Sequence, residues 1–159
     1  MDTTTLTVRA MYERFPYPAA SEPQIRLGND ARLLLSYGQL QRARRGPLHC
    51  LDAGCGRAGG TLGAATTQPD VQFTAIDVNR VALAEAANKA SELGLKNLRF
   101  QEVDLTTLEN LDVPDGGYDV ILSSGVLHHL ASPDEGLRQL RRVLAPHGVI
   151  TLMVYGTHG

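Results

Sequence analysis

The sequence predicts an α/β fold in three layers, a parallel sheet with helices packed on both faces. Three observations predict it. From residue 48 onward, strand-length apolar runs alternate with helix-length segments. The first run leads directly into a glycine-rich loop, LDAGCGRAGG at Leu51–Gly60. The next two runs end in acidic residues, Asp77 after VQFTAI and Asp104 after NLRFQEV. Such alternation implies parallel strands joined by right-handed crossovers, and a sheet of that kind is covered on both sides.

Taken in order, residues 5–15 read as a short helix that Pro16 and Pro18 terminate. FPYPAASEP, 15–23, reads as an extended linker, and 29–45 as a second helix opened by Asn29 and closed by Gly46-Pro47. The first strand starts at Leu48, and a helix follows over about 57–67. The second strand is 71–76. Asn79 can cap the next helix, which runs to a left-handed stop at Gly94. Strands three and four are 97–103 and 118–124, the latter entered through the turn PDGG. Ser132-Pro133-Asp134-Glu135 opens a helix, with Ser132 as cap, Pro133 at the first position and Glu135 completing a capping box. Leu137, Leu140 and Leu144 mark its apolar face. APHG, 145–148, turns the chain into a fifth strand over 149–155. The chain so divides into a helical cap and linker, 1–46, and an α/β domain, 47–159.

Composition bounds the function classes. The chain has 159 residues, 43% hydrophobic and 20% charged, enough for one domain with a core. A net charge of −2 implies no broad attraction to nucleic acid or anionic membrane. RARR at Arg42–Arg45 fits the solvated end of a helix, where cations favour the dipole. Cys50 and Cys55 are the two cysteines, without partners at metal-ligand spacing, so no metal site and no disulfide framework is expected. Both fit small buried groups in a reducing cytoplasm. No apolar run reaches the ~20 residues of a membrane span.

Gly54, Gly56 and Gly59 satisfy G-x-G-x-x-G. Alone the motif describes a bare strand-to-helix turn as well as a ligand site, and a nicotinamide or flavin would fit it. Its neighbours add weight. Asp52 stands just before the glycines, and Asp77 lies about 20 positions after Gly56, the spacing of a carboxylate that grips ribose hydroxyls. With Asp104, three successive strands end in an acidic residue or the glycine loop. That points to a nucleoside-containing cofactor at the carboxyl ends of parallel strands.

These residues resemble the class I S-adenosylmethionine-dependent methyltransferases. The resemblance covers about residues 47–155 and rests on LDAGCG (51–56), AIDVN (75–79), VDL (103–105), YDVILSSGVLHHL (118–130) and LRRVLAPHGVITLMVY (140–155). MYERFPYP (11–18) resembles a lead-in found before some of these domains. The implied fold is the Rossmann-like methyltransferase sheet, and the implied cofactor is S-adenosylmethionine. By resemblance, the backbone of Gly54, Cys55 and Gly56 would pass under the methionine end. Asp52 would face its amino group, and Asp77 would accept both ribose hydroxyls. Asp104 would take the adenine amino group, with Val78 and Leu105 as apolar plates on the ring. Read without the family, Asp104 is a cap after the third strand.

Ser123, Ser124 and Gly125 follow the fourth strand, where substrate would meet the methyl group. Members that methylate amino groups of bases or glutamine often carry Asn/Asp-Pro-Pro-aromatic there, and this chain does not. SSGVLHHL is more similar to members that methylate oxygen or carbon of small molecules. His128 and His129 are the candidate general bases, with a packed core histidine as the alternative for either. Tyr12, Phe15 and Tyr17 form either a lid over the pocket or a hydrophobic clamp for the first helix. His147 reads as a surface turn residue. Two residues depart from the family pattern: Ala58 stands where a third glycine is common, and Arg57 either reaches the cofactor carboxylate or faces solvent. The family sheet continues with two further strands, so the sheet is expected to be cut short after the fifth. An apolar edge at Val149–Tyr155 would then favour self-association. Three functions follow: a methyltransferase acting on a small-molecule acceptor, a non-catalytic cofactor-binding module of a larger protein, and a nicotinamide-dependent oxidoreductase.

Overall fold

The computed structural model describes residues 1–15 and 46–156. The expected proline-rich linker, second helix, RARR cluster and Tyr17 lie outside the described residues.

Helix α1 spans Thr3–Arg14. It starts before the predicted residue 5 because Asp2 caps it, accepting the N–H of Thr5 at 2.8 Å. The threonines that open it are weak helix formers, and they conceal this start in the sequence. Then follow β1 (Leu48–Ala53), α2 (Gly59–Thr67), β2 (Val71–Asp77), α3 (Arg80–Glu92), β3 (Leu98–Glu102), β4 (Tyr118–Ser124), α4 (Pro133–Val143) and β5 (Leu144–Met153).

The strands form one parallel sheet in the order β3-β2-β1-β4-β5. The chain builds outward from β1 to β3, then returns to lay β4 on the other side of β1. That reversal makes the carboxyl ends of β1 and β4 the topological switch point, the place where such sheets bind ligands. Side chains alternate between the two faces as the strand period requires. Leu51, Ala53 and Ile121 pack with Leu127 and with Leu140 of α4. Cys50, Phe73 and Val120 pack with Ala64 and Ala65 of α2. Ala75 meets Ala86 of α3.

Local signals place the helices around this sheet. Asn79 caps α3, its Oδ1 accepting from Val81 and Ala82 at 3.0 and 3.1 Å. Gly94 ends that helix at φ +66°, a conformation most side chains resist. Asn97 donates through Nδ2 to the carbonyls of Ala65, Gln68 and Val71 at 3.0–3.1 Å, stapling the end of α2 to the sheet.

The structure corrects several expectations. Helix α2 begins at Gly59, not at 57, because Ala58 before it is left-handed at φ 51°. Ser132 caps α4, accepting from Glu135 N–H at 3.3 Å. The Glu135 carboxylate instead meets Arg138 and Gln139, each at 2.8 Å, so the reciprocal half of the box is not made. Leu137 is 38% exposed; the inner side of α4 is Gly136, Gln139 and Leu140. Strand β5 begins at Leu144. Tyr118 and Val120 of β4 face Leu144 and Val149 of β5, so the predicted turn, Ala145–Gly148, is a bulge within the strand. Pro146 has no N–H to offer the ladder, which suits a bulge. His147 is half-buried, with Nε2 3.1 Å from Oδ1 of Asp119, and is no surface turn residue. Among the described residues no helix is long and apolar enough to cross a membrane.

Candidate active site at the carboxyl end of the sheet

Strand β1 delivers Asp52 and then the glycine loop. Backbone N–H groups of Gly54 and Cys55 both donate to the carbonyl of Ile76 on β2, at 2.8 and 3.0 Å, which folds the loop back over the sheet. Gly54 has φ +83°, and a Cβ there would stand 2.3 Å from a methyl of Val126. Glycine is required by both backbone and space. Gly56 differs: among the described residues nothing lies within 4 Å of where its Cβ would be. The loop thus closes toward Val126 and opens on its Gly56 side.

Three carboxylates stand at or just past the carboxyl ends of β1, β2 and β3. Asp52 accepts a hydrogen bond from the hydroxyl of Thr61 on α2. Burial pushes its pKa up to about 6 despite that bond, and the neighbouring Asp77 adds to the rise. Asp77 accepts from the N–H groups of Gly56 at 2.8 Å and Asn79 at 2.9 Å. Burial raises its pKa too, partly offset by those bonds. Asp104 uses Oδ1 alone, taking the N–H and hydroxyl of Thr106 at 2.8 and 2.7 Å. It caps a turn here, with no helix following. Its Oδ2 is buried without a hydrogen-bond partner, and the Met1 ammonium stands 3.8 Å away.

The remaining predicted residues fall around this centre. Cys55 is half-buried, and burial, with Asp52 and Asp77 nearby, holds its thiol well above the usual range. Val78 is half-buried beside Asp77. Leu105 lies in the core cluster with Leu108 and Leu127, nearly all of its surface already covered. Ser123 is buried with an unpartnered hydroxyl. His128 and His129 close a single turn of 3-10 helix, Leu127–His129, after β4. Both ring nitrogens of His128 are buried without partners, and its ring packs between His129 at 4.1 Å and Tyr155 at 4.8 Å. Arg57 turns to Glu85 on α3 at 2.6 Å.

Helix α1 lies across this end of the sheet. Arg9 reaches Glu102 at 3.3 Å, and the Tyr12 hydroxyl lies 3.1 Å from Nε2 of His129. Phe15 is 63% exposed, with the guanidinium of Arg14 over its ring. Sequence reasoning missed Thr61, Val126 and the Tyr12–His129 contact. A hydroxyl early in the helix after the loop was a readable sign for Thr61; the other two join residues far apart in the chain.

The fold defines a class, the doubly wound α/β proteins, here with a glycine-rich loop and acidic residues at the carboxyl ends of the strands. Comparison with known proteins is more particular. A family model described as "Methyltransferase domain" matches residues 46–157, and the chain belongs to that family. It is 31% identical to an uncharacterized protein of Synechococcus over 99% of its own length and 39% of the relative's. It is 34% identical to a ubiquinone biosynthesis O-methyltransferase of Caulobacter sp. over 65% of its length and 39% of that protein's. Among solved structures, it matches the crystal structure of the cyclase SpnF with a TM-score of 0.61 and 31% identity, covering 77% of this chain and 43% of that one. The chain spans about two fifths of the curated relatives it matches here, 39% of each.

Proposed function

We propose that this chain is the cofactor-binding part of an S-adenosylmethionine-dependent methyltransferase that methylates oxygen or carbon of a small molecule. The observation that carries the reading is a set of acidic residues at the carboxyl ends of three neighbouring strands, Asp52 on β1, Asp77 on β2 and Asp104 just past β3, beside the Gly54–Gly56 loop that follows β1. The buried Oδ2 of Asp104 accepts no hydrogen bond and has only the Met1 ammonium 3.8 Å away, so it suits a donor such as an adenine amino group, since a buried acceptor left without a hydrogen bond is costly. The open side of Gly56 leaves room for a ligand against the backbone. Asp52 and Asp77 are half-buried, which raises both carboxyls, and Asp77 adds to the rise at Asp52, so a cationic neighbour relieves them.

When bound, the cofactor would supply a methyl group on a sulfonium, an already activated leaving group. The chain's own residues then hold and align. Asp77 would grip the ribose hydroxyls, at about 1.5–3 kcal/mol for charge-assisted bonds. Asp52 would meet the cationic end and Asp104 the base, with Val78 against the ring. Rate enhancement comes mainly from proximity and from exclusion of misaligned approaches. The likeness to an O-methyltransferase supports oxygen as acceptor.

A second reading is favoured by the likeness to SpnF, a cyclase by its description. Under that reading the pocket of this chain would bind the cofactor as a scaffold, without methyl transfer from it. Tight binding without turnover would support that reading.

The test is thermal unfolding with S-adenosylhomocysteine and, separately, NADH. Ligand at ~100 times its Kd stabilises by ~2.7 kcal/mol, a shift of roughly 5–10 °C for a domain of this size. The expected result is a shift with adenosylhomocysteine alone, lost in Asp77→Ala. No shift overturns the cofactor assignment, and a shift with NADH alone moves the chain to hydride chemistry.

A further inference from the structure

Tyr12 and His129 are 117 positions apart in the chain, yet the phenol oxygen lies 3.1 Å from Nε2 of the imidazole. Their rings meet edge-on, with centroids 5.8 Å apart and planes at 77°. The imidazole is held at a meaningful place. Its 3-10 turn follows Val126, the residue whose methyls fill the space where a Gly54 Cβ would stand. The turn that carries the ring thus starts next to the residue packed against the loop that would carry the methionine end of the cofactor. Tyr12 is itself held there by its helix, through Arg9 to Glu102 at 3.3 Å and the burial of Thr5.

Among the described residues the groups facing His129 are Tyr12 from α1 and His128 beside it in the chain, with the Tyr155 ring edge-on to His128. Burial and His128 lower the His129 pKa, which favours the neutral imidazole at physiological pH. A neutral imidazole has one N–H and one lone pair, and the partner of one nitrogen decides the state of the other.

We propose that Tyr12 positions His129 as a general base for a hydroxyl acceptor: the phenol oxygen accepts Nε2–H, which leaves the Nδ1 lone pair to take the acceptor's proton. This deepens the methyl-transfer reading above and rests on it. The balance is simple. The acceptor O–H bond breaks as its O–CH3 bond forms, and the donor's S–CH3 bond breaks with its electron pair staying on sulfur. The proton goes to Nδ1, so the positive charge passes from sulfonium to imidazolium and then leaves with the proton to solvent. An acceptor that is already an anion needs none of this, so the device selects neutral hydroxyls. Tyr12 serves here as the orienting third group does in a catalytic triad.

Two measurements test it. Ring-nitrogen NMR of the histidines, with the His129 signals assigned through His129→Asn, should show His129 protonated on Nε2 and bare on Nδ1. Tyr12→Phe keeps the ring packing and should spread His129 over both tautomers. A wild-type His129 carrying its proton on Nδ1, or a tautomer indifferent to Tyr12→Phe, overturns the proposal without touching the cofactor assignment. The second uses catechol and a nitrocatechol already ionised at the assay pH, each with S-adenosylmethionine. Tyr12→Phe should lower kcat/KM for catechol by about 10- to 100-fold and leave the ionised probe within about threefold. Equal losses on both probes would make Tyr12 a clamp and overturn its role in proton removal. Absence of stabilisation by adenosylhomocysteine would instead overturn the methyl-transfer reading on which it rests.

Discussion

At the amino end of the sheet, Asp119 is 0% exposed, yet it accepts the N–H of His49 at 2.8 Å and lies 3.1 Å from His147. Nearby Asn97 satisfies three carbonyls with one amide nitrogen. At the carboxyl end, one oxygen of Asp104, the hydroxyl of Ser123 and both ring nitrogens of His128 are buried without a hydrogen bond. Among the described residues the buried side-chain polar atoms without partners are these and the Thr5 hydroxyl, which sits on the helix crossing this same end. Burial alone does not separate the two ends. Saturation does: a buried polar group with all its bonds made serves the fold, and one left open is costly unless something arrives to pair with it.

The comparison can be broken at its closed end first. Asp119→Ala strands the His49 N–H and unpairs His147, and should cost about 3–5 kcal/mol in urea unfolding. A loss under about 1 kcal/mol would mean that the amino-end cluster is not structural. At the open end the sign reverses. The folded pKa of Asp52 is about 6 against 3.8 for a free carboxyl. Below both values folded and unfolded states hold the proton alike, and stability suffers no penalty. As pH rises through this window the unfolded chain ionises first, so wild type loses stability relative to Asp52→Asn. The gap should be near zero at pH ~3 and reach about 2–3 kcal/mol by neutrality in chemical denaturation without ligand. A gap that does not change with pH would show that Asp52 ionises freely. The smallest effect is expected beside the loop. Ala58 sits at φ 51°, a conformation that costs a residue with a Cβ about 1 kcal/mol. Ala58→Gly should therefore raise stability slightly, read as a small increase in Tm; a decrease would mean that the buried methyl matters more than its backbone strain.

Much of the open end was legible before any coordinates. Asp52, Asp77 and Asp104 announce themselves because each ends a strand-like run, and parallel strands bring their ends together whatever their order. The closed end was not legible. Asp119 lies inside an apolar strand next to Tyr118, and its partner His147 sits in what reads as an exposed turn. The turn is a bulge in β5, and only the pairing of β5 with β4 turns His147 inward. The error at Glu135 is of the same kind on a smaller scale: the spacing allowed a capping box, and Arg138 and Gln139 compete for the same carboxylate.

The sequence by itself determined the fold class, the position of the glycine loop and the carboxylates at the strand ends. These follow from periodicity and from residues near one another in the chain, where geometry leaves few choices. Tertiary structure decided what meets across the molecule. Laying β4 beside β1 brings Val126 onto Gly54, and seating α1 over the strand ends brings Tyr12 to His129. Such contacts depend on which edges pair and which faces pack, and no local pattern encodes the partner of a residue a hundred positions away.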